Sequence, residues 1–99
     1  MGAFMKQSPL VSVVIPTHNR PDFLRRTLLS IFQQTYENLQ IIVVSNGFNP
    51  HNKKTVDDLK DSRLEYYEQE NTGAPASPRN HGIRKSRGKY IAFCDDDDL

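Results

Sequence analysis

The 99-residue chain carries 13 Lys and Arg against 12 Asp and Glu, with 36% hydrophobic residues and a single cysteine. That length suits one small domain with a modest core, and not two. The near-neutral balance argues against a general nucleic-acid binder, Cys94 alone excludes a disulfide framework or a cysteine-rich zinc site, and no apolar run approaches the ~18 residues of a membrane span.

Met1 to Gln7 has no apolar stretch of the kind a secretory signal needs, so a reducing, cytoplasmic setting is expected. Residues 1–10 read as an N-terminal extension and 11–99 as the domain. Val11-Ser-Val-Val-Ile15 is a β-branched run that reads as a strand buried on both faces and ended by Pro16. Thr17-His-Asn-Arg20 then reads as a polar loop. Pro21 suits a first helical turn, and Asp22 suits the positive end of the helix dipole. Leu24, Leu28, Ile31 and Phe32 recur at helical spacing and predict an amphipathic helix of about four turns. Leu39 to Val44 is a second strand, ended by the turn-forming Ser45-Asn-Gly47. Asn49-Pro50 is a cap followed by a first-turn proline, and Val56 with Leu59 gives the next helix only a thin apolar stripe. It should be short and peripheral.

Leu64 to Glu68 reads as a third, edge-like strand. The breaker-rich stretch Asn71 to Pro78 is a loop, with Ser77 as the cap and Pro78 as the first residue of a third helix. Gly88 is expected to end that helix after a basic last turn. Tyr90-Ile-Ala-Phe-Cys94 is a fourth strand, apolar throughout and expected at the centre of the sheet. The alternation predicts an α/β fold: a mainly parallel sheet with right-handed crossovers and helices on both faces, a three-layer α/β/α arrangement.

Ligands of open parallel sheets sit at the carboxyl ends of the strands. Here those ends are Pro16 to Arg20, Ser45 to Gly47, Glu68 to Gly73, and Asp95 to Asp98. The last is an unbroken acidic run behind an apolar lead; without it, 13 basic residues would face eight acids. Arg79, Arg84, Lys85, Arg87 and Lys89 precede it with no acid among them. Such a run can be a solvated tail, or its last members can cap a following helix. Carboxylates crowded at a strand end repel one another unless a cation offsets them, which favours a hard divalent metal, Mn²⁺ or Mg²⁺. Asp95 and Asp97, two apart in extended chain, point the same way. No glycine-rich phosphate loop follows the first strand, so a P-loop enzyme or a dinucleotide dehydrogenase is not expected.

Five segments together carry a resemblance. They are Val11 to Arg20, Leu28 to Thr35, Asn71-Thr-Gly73, Arg79-Asn-His-Gly-Ile83 and Gly88 to Asp98. In this order the chain resembles the nucleotide-sugar half of family 2 glycosyltransferases from Val11 to Leu99. The resemblance implies the GT-A fold, whose nucleotide-binding half is Rossmann-like. It implies an enzyme that transfers sugar from a nucleoside diphosphate sugar, with a UDP-sugar expected, to a sugar or lipid-linked sugar acceptor. Such work belongs to bacterial cell-surface polysaccharide synthesis, in the cytoplasm or at the inner face of the membrane. Nucleic acid has no part in it. Pro16, Thr17, His18 and Asn19 fall where the family grips the nucleoside, and the His18 ring can stack on the base. Asn46 stands where the family often has the Asp that bonds the base. Its carboxamide can still read a uracil edge, but it brings no charge. Arg79 matches a position near the base or diphosphate. Asp95-Asp-Asp97 matches the DxD motif: Asp97 is the metal ligand, Asp95 meets the ribose or a metal-bound water, and Asp96 belongs with the nucleotide-sugar-binding residues.

The implied reaction inverts configuration, and in the family its base lies well beyond the DxD. The base is therefore expected downstream of Leu99, with this chain an N-terminal piece that is inactive alone. The bared flank of the fourth strand is then expected to favour a homo-oligomer. A non-catalytic nucleotide- or metal-binding module, or an inactive relic of the same fold, is the alternative, supported by Ser45-Asn46. A receiver-like domain lacks its acids: Thr17-His18 and Glu68-Gln69 stand in their places.

Overall fold

The structure, a computed structural model, describes residues 8–71, 73 and 76–94. Strand and helix alternate as β1 (Val11–Thr17), α1 (Pro21–Phe32), β2 (Leu39–Asn46), α2 (Pro50–Leu59), β3 (Leu64–Gln69), α3 (Ala76–Lys85) and β4 (Tyr90–Phe93). The described strands form one parallel sheet in the order β3-β2-β1-β4. Its two faces separate by residue parity. Val13, Ile15, Ile41 and Val43 face α1 and α2 and pack with Leu24, Leu28 and Val56. Val14, Ile42 and Val44 face the other way, with Tyr67 packed against them. Each fully buried Val, Leu or Ile contributes about 1.5–3 kcal/mol. The expected α/β/α layering is what the structure shows.

The layer formed by α3 is held differently. Its buried residues are Pro78 and Gly82, with no large apolar side chain among them. Gly82 lets the helix backbone approach the sheet: a Cβ there would lie 2.3 Å from Val14 Cγ1. Beyond the helix, a polar clamp takes over. Buried Ser12 donates to Gln40 Oε1 at 2.6 Å and accepts from Gly88 N at 2.8 Å. Gln40, also buried, accepts from Arg87 N at 2.8 Å and donates to the Lys85 carbonyl at 2.9 Å. Glu65 joins through Gln40, Tyr67 and Arg87. Burial alone would raise the Glu65 pKa, but hydrogen bonds from Tyr67, Gln40 and Arg87 outweigh it and hold the carboxyl below its ordinary value.

Several boundaries differ from the sequence reading, each for a physical reason. Pro16 does not end β1, which runs on to a buried Thr17. Val14 O accepts from Cys94 N, so even-numbered backbone groups of β1 face β4. Pro16 therefore turns its missing N–H toward the β4 side, where the last described pair is Val14↔Phe93, and no hydrogen bond to β2 is lost. Ser45 and Asn46 belong to β2 rather than to a turn, because β3 pairs with both; the turn falls at Gly47, φ +116°. α1 has 12 residues, nearer three turns than four. Asn49 caps α2 as expected, its side chain accepting from His51 N and Asn52 N. Ser77 does not cap α3, which begins at Ala76; its hydroxyl accepts from Gln69 Nε2 at 2.9 Å instead. Gly88 is not the helix-ending residue, since α3 stops at Lys85, and its need for glycine is contact with Ser12 and Leu10. β4, expected at the centre, is an edge among the described strands, where Tyr90, Ile91 and Phe93 stand exposed.

Asn52, fully buried on α2, sits behind the end of β2. The Ser45 hydroxyl donates to Gly47 O at 2.7 Å, so Asn52 Nδ2 must donate to Ser45 Oγ, at a long 3.4 Å. This leaves Asn52 Oδ1 buried with no hydrogen-bond partner among the described residues. Replacing the whole carboxamide by an apolar group removes the unpartnered carbonyl together with that long bond, while the Ser45 hydroxyl keeps its bond to Gly47 O. Asn52→Leu is expected to raise stability by about 1 kcal/mol, read from urea unfolding. A loss of similar size would show that the carbonyl is satisfied.

Candidate functional site

The chain runs β1, β2, β3 toward one edge and then crosses to place β4 on the far side of β1. Strand order therefore reverses between β1 and β4, and the crevice of an open parallel sheet lies at the carboxyl ends flanking such a point. The strand ends there are rich in hydrogen-bonding groups, drawn from β1, β2, β3 with its following loop, and α3.

From β1, His18 and Asn19 emerge exposed. His18 Nδ1 lies 2.6 Å from the Asn46 carbonyl. A carbonyl only accepts, so Nδ1 carries the hydrogen. Asn19 adopts φ +51°, a left-handed conformation that suits Asn better than most side chains. Its Oδ1 accepts from Asn49 Nδ2 at 2.9 Å, so the β1 end is tied to the cap of α2. From β2, Asn46 Nδ2 donates to Asn71 Oδ1 at 3.2 Å, and Asn46 Oδ1 accepts from Gln69 Nε2 at 3.3 Å. From β3 and its loop, Gly47 N donates to Gln69 O at 2.7 Å and Gly73 N donates to Asn71 Oδ1 at 3.0 Å. From α3, His81 Nδ1 meets Gln69 Oε1 at 2.8 Å and its ring lies 5.7 Å from that of Tyr67. Burial first, then the charges of Arg84 and Lys85, lowers the His81 pKa and favours the neutral ring.

The residues picked from sequence divide accordingly. His18, Asn19 and Asn46 are brought together at the ends of β1 and β2. Pro16 and Thr17 lie in β1 itself, Thr17 buried, so they shape the floor more than they line it. Arg79 is exposed in the first half of α3, its guanidinium 5.9 Å from the Phe93 ring centroid at the end of β4. Asp95, Asp96 and Asp97 lie outside the described residues. Among the described residues no group of three or more His, Cys, Asp or Glu could hold a metal ion. The donors gathered at the β1–β3 ends are imidazole and carboxamides, poor company for Mn²⁺ or Mg²⁺. Asp95 and Asp97 are of the oxygen chemistry such an ion requires.

Sequence reasoning assigned no role to Gln69, Asn71 or His81. One signal was present: the register pairs Asn46 with Gln69, two carboxamides on neighbouring strand ends. Reading it required the register, which depends on β3 being parallel to β2.

Comparisons with known proteins agree with this geometry. The family described as Glycosyl transferase family 2 matches residues 12–99. An uncharacterized glycosyltransferase of Rickettsia bellii is 44% identical over 90 residues, covering 90% of this chain and 13% of that protein. The mannosyltransferase PcManGT from Pyrobaculum calidifontis, solved in complex with GDP-Man and Mn²⁺, superposes with a TM-score of 0.81 at 23% identity, over 92% of this chain and 28% of that one. Staphylococcus aureus TarS 1-349 in complex with UDP gives a TM-score of 0.81 at 24% identity, over 88% of this chain and 27% of that one. At such identities the two structures establish a shared GT-A fold. This chain spans less than a third of each of these three proteins.

Proposed function

The chain belongs to glycosyl transferase family 2, and on that premise we propose that it forms the nucleotide-sugar-binding half of an inverting glycosyltransferase with a UDP-sugar as donor. The observation that carries this reading is the reversal of strand order between β1 and β4, with His18, Asn19 and Asn46 gathered at the neighbouring strand ends. Each residue then has work suited to its chemistry. His18, pinned through Nδ1 to the Asn46 carbonyl, offers a ring face for the base. Asn46 uses one amide hydrogen and one carbonyl lone pair inside the protein, which leaves one of each for a base edge. Arg79, at the start of α3, supplies a cation on the side of β4, where a diphosphate would lie. Asp95 and Asp97 would hold a divalent cation, which when bound offsets the charge of the departing diphosphate. Bonds to the acceptor, and the base that deprotonates it, belong to residues beyond Leu99.

The Mn²⁺-bound and UDP-bound neighbours support this choice of ligand class by fold alone. Calorimetric titration of UDP into the chain with and without Mn²⁺ tests it. Binding is expected to tighten by about tenfold or more when Mn²⁺ is present, because cation and diphosphate complete one another's shells. Absence of UDP binding under both conditions would overturn the reading. Equal binding of GDP and UDP would overturn the choice of uracil.

A further inference from the structure

The hydrogen bonds around Asn46 form a directed chain, and its direction is set at one end by a backbone group. A peptide N–H can only donate, so the atom of Asn71 that meets Gly73 N is its carbonyl, Oδ1. The same oxygen faces Asn46, so Asn46 must turn its amide nitrogen toward Asn71. Asn46 Oδ1 is thereby aimed at Gln69 and accepts from Nε2. Gln69 in turn directs Oε1 at His81, whose Nδ1 must carry the hydrogen, while Ser77 Oγ accepts the remaining Nε2 hydrogen. Four side chains on four different elements or loops thus share one polarity. If Asn71 did not fix it, the whole chain could invert: Asn46 and Gln69 could each turn by half a rotation, with Ser77 donating and His81 changing tautomer, at little cost in hydrogen bonds. Among the described residues, Gly73 N is the one contact of this hydrogen-bond chain that permits only one direction.

We infer that Asn71 is a positioning residue for base selectivity: by accepting from Gly73 N it locks the Asn46 carboxamide in one orientation, so that the free lone pair and the free amide hydrogen of Asn46 are presented to the nucleotide in a fixed order. This inference rests on the nucleotide reading above. Its consequence is specific to bases that differ by exchange of donor and acceptor. Uracil offers a donor at N3 and an acceptor at its 4-position; cytosine offers an acceptor at N3 and a donor at the 4-position. A locked amide separates the two, because the wrong base leaves both partners facing like groups. An amide free to turn reads both.

The experiment is calorimetric titration of UDP and of CDP, each with Mn²⁺ present, into the wild-type chain, Asn71→Ala and Asn71→Asp. Asn71 is exposed on a loop, so neither change threatens the core. The wild type is expected to prefer UDP by about tenfold or more. In Asn71→Ala the preference is expected to fall to within about threefold, chiefly through tighter CDP binding. Asn71→Asp keeps an oxygen for both Gly73 N and Asn46 Nδ2 and is expected to retain the wild-type preference. A structural role alone would weaken UDP and CDP in equal proportion and leave the ratio unchanged, which would overturn the inference. So would an Asp variant that behaves like the Ala variant. Equal UDP and CDP binding by the wild type would also overturn it, while leaving the nucleotide reading intact. Failure of the wild type to bind either nucleotide would remove that reading and the inference with it.

Discussion

Replacing Asp97 by alanine is expected to weaken Mn²⁺-dependent UDP binding by ~100-fold or more, since even partners one shell removed from a metal are worth 10–100-fold. The expectation comes from charge and spacing. Asp95 to Asp98 follow a strand whose last described contact, Cys94 N to Val14 O at 3.0 Å, keeps it paired beside β1. The described groups at the other strand ends do not supply a metal cluster of their own. A cation held with the diphosphate would thus depend on the acidic run, and removing one direct carboxylate cannot be made good by His18 or the carboxamides. Asp96→Ala serves as the comparison, because neighbouring positions of an extended segment take opposite faces, and the sequence reading puts Asp95 and Asp97 on one face. It should lose much less. Equal Mn²⁺–UDP affinity in Asp97→Ala and the wild type would remove Asp97 from the site, and an Asp96→Ala loss exceeding that of Asp97→Ala would mean that the alternation is shifted by one residue.

Gly82→Leu is expected to destabilise the fold by more than ~3 kcal/mol, the upper end of what overpacking a core costs. A Cβ at Gly82 would approach Val14 Cγ1 to 2.3 Å and Cγ2 to 3.1 Å. Val14 cannot withdraw. It is fully buried, β-branched and held between β2 and β4 through its backbone. The helix would have to lift off the sheet, and with it Ser77 and His81, which reach Gln69 from the same helix. Gly82→Ala is the milder case: about 1–3 kcal/mol of overpacking against roughly 1 kcal/mol of gained helix propensity. Val14→Ala should relieve much of the clash, so the double variant Gly82→Ala with Val14→Ala is expected to be more stable than the sum of the two single losses predicts. Guanidinium unfolding of the four proteins reads this directly. Strict additivity would show that α3 already stands clear of Val14.

The amino-acid sequence alone determined the order and kind of the elements, because these depend on short-range periodicity. Val11 to Ile15 and Leu39 to Val44 could only be buried strands, Leu24, Leu28, Ile31 and Phe32 could only be one face of a helix, and Asn49-Pro50 fixes a helix start within a few residues. Because β-α alternation admits few connections, the parallel sheet followed as well, and with it the choice of the carboxyl ends of the strands as the place of the candidate site. What only the tertiary structure decided involves groups distant in sequence. An apolar strand such as Tyr90 to Phe93 reads the same at the centre or the edge of a sheet, and its place beside β1 is set by which way the α3 crossover turns. Pro16 could stay in a strand because its missing N–H faces away from β2, with which β1 pairs along its whole length. Gly88 reads in sequence as the end of a helix and Gly82 carries no reading of its own; their need for glycine lies in Ser12 and Val14, which stand against them only in the folded chain. The directed chain through Asn71, Asn46, Gln69 and His81 needed parallel register to bring two strand-end carboxamides side by side and a helix packed closely enough to deliver an imidazole. Periodicity tells which face a side chain takes, but a hydrogen bond requires position to within a fraction of an ångström, and that is fixed only when the layers close on one another.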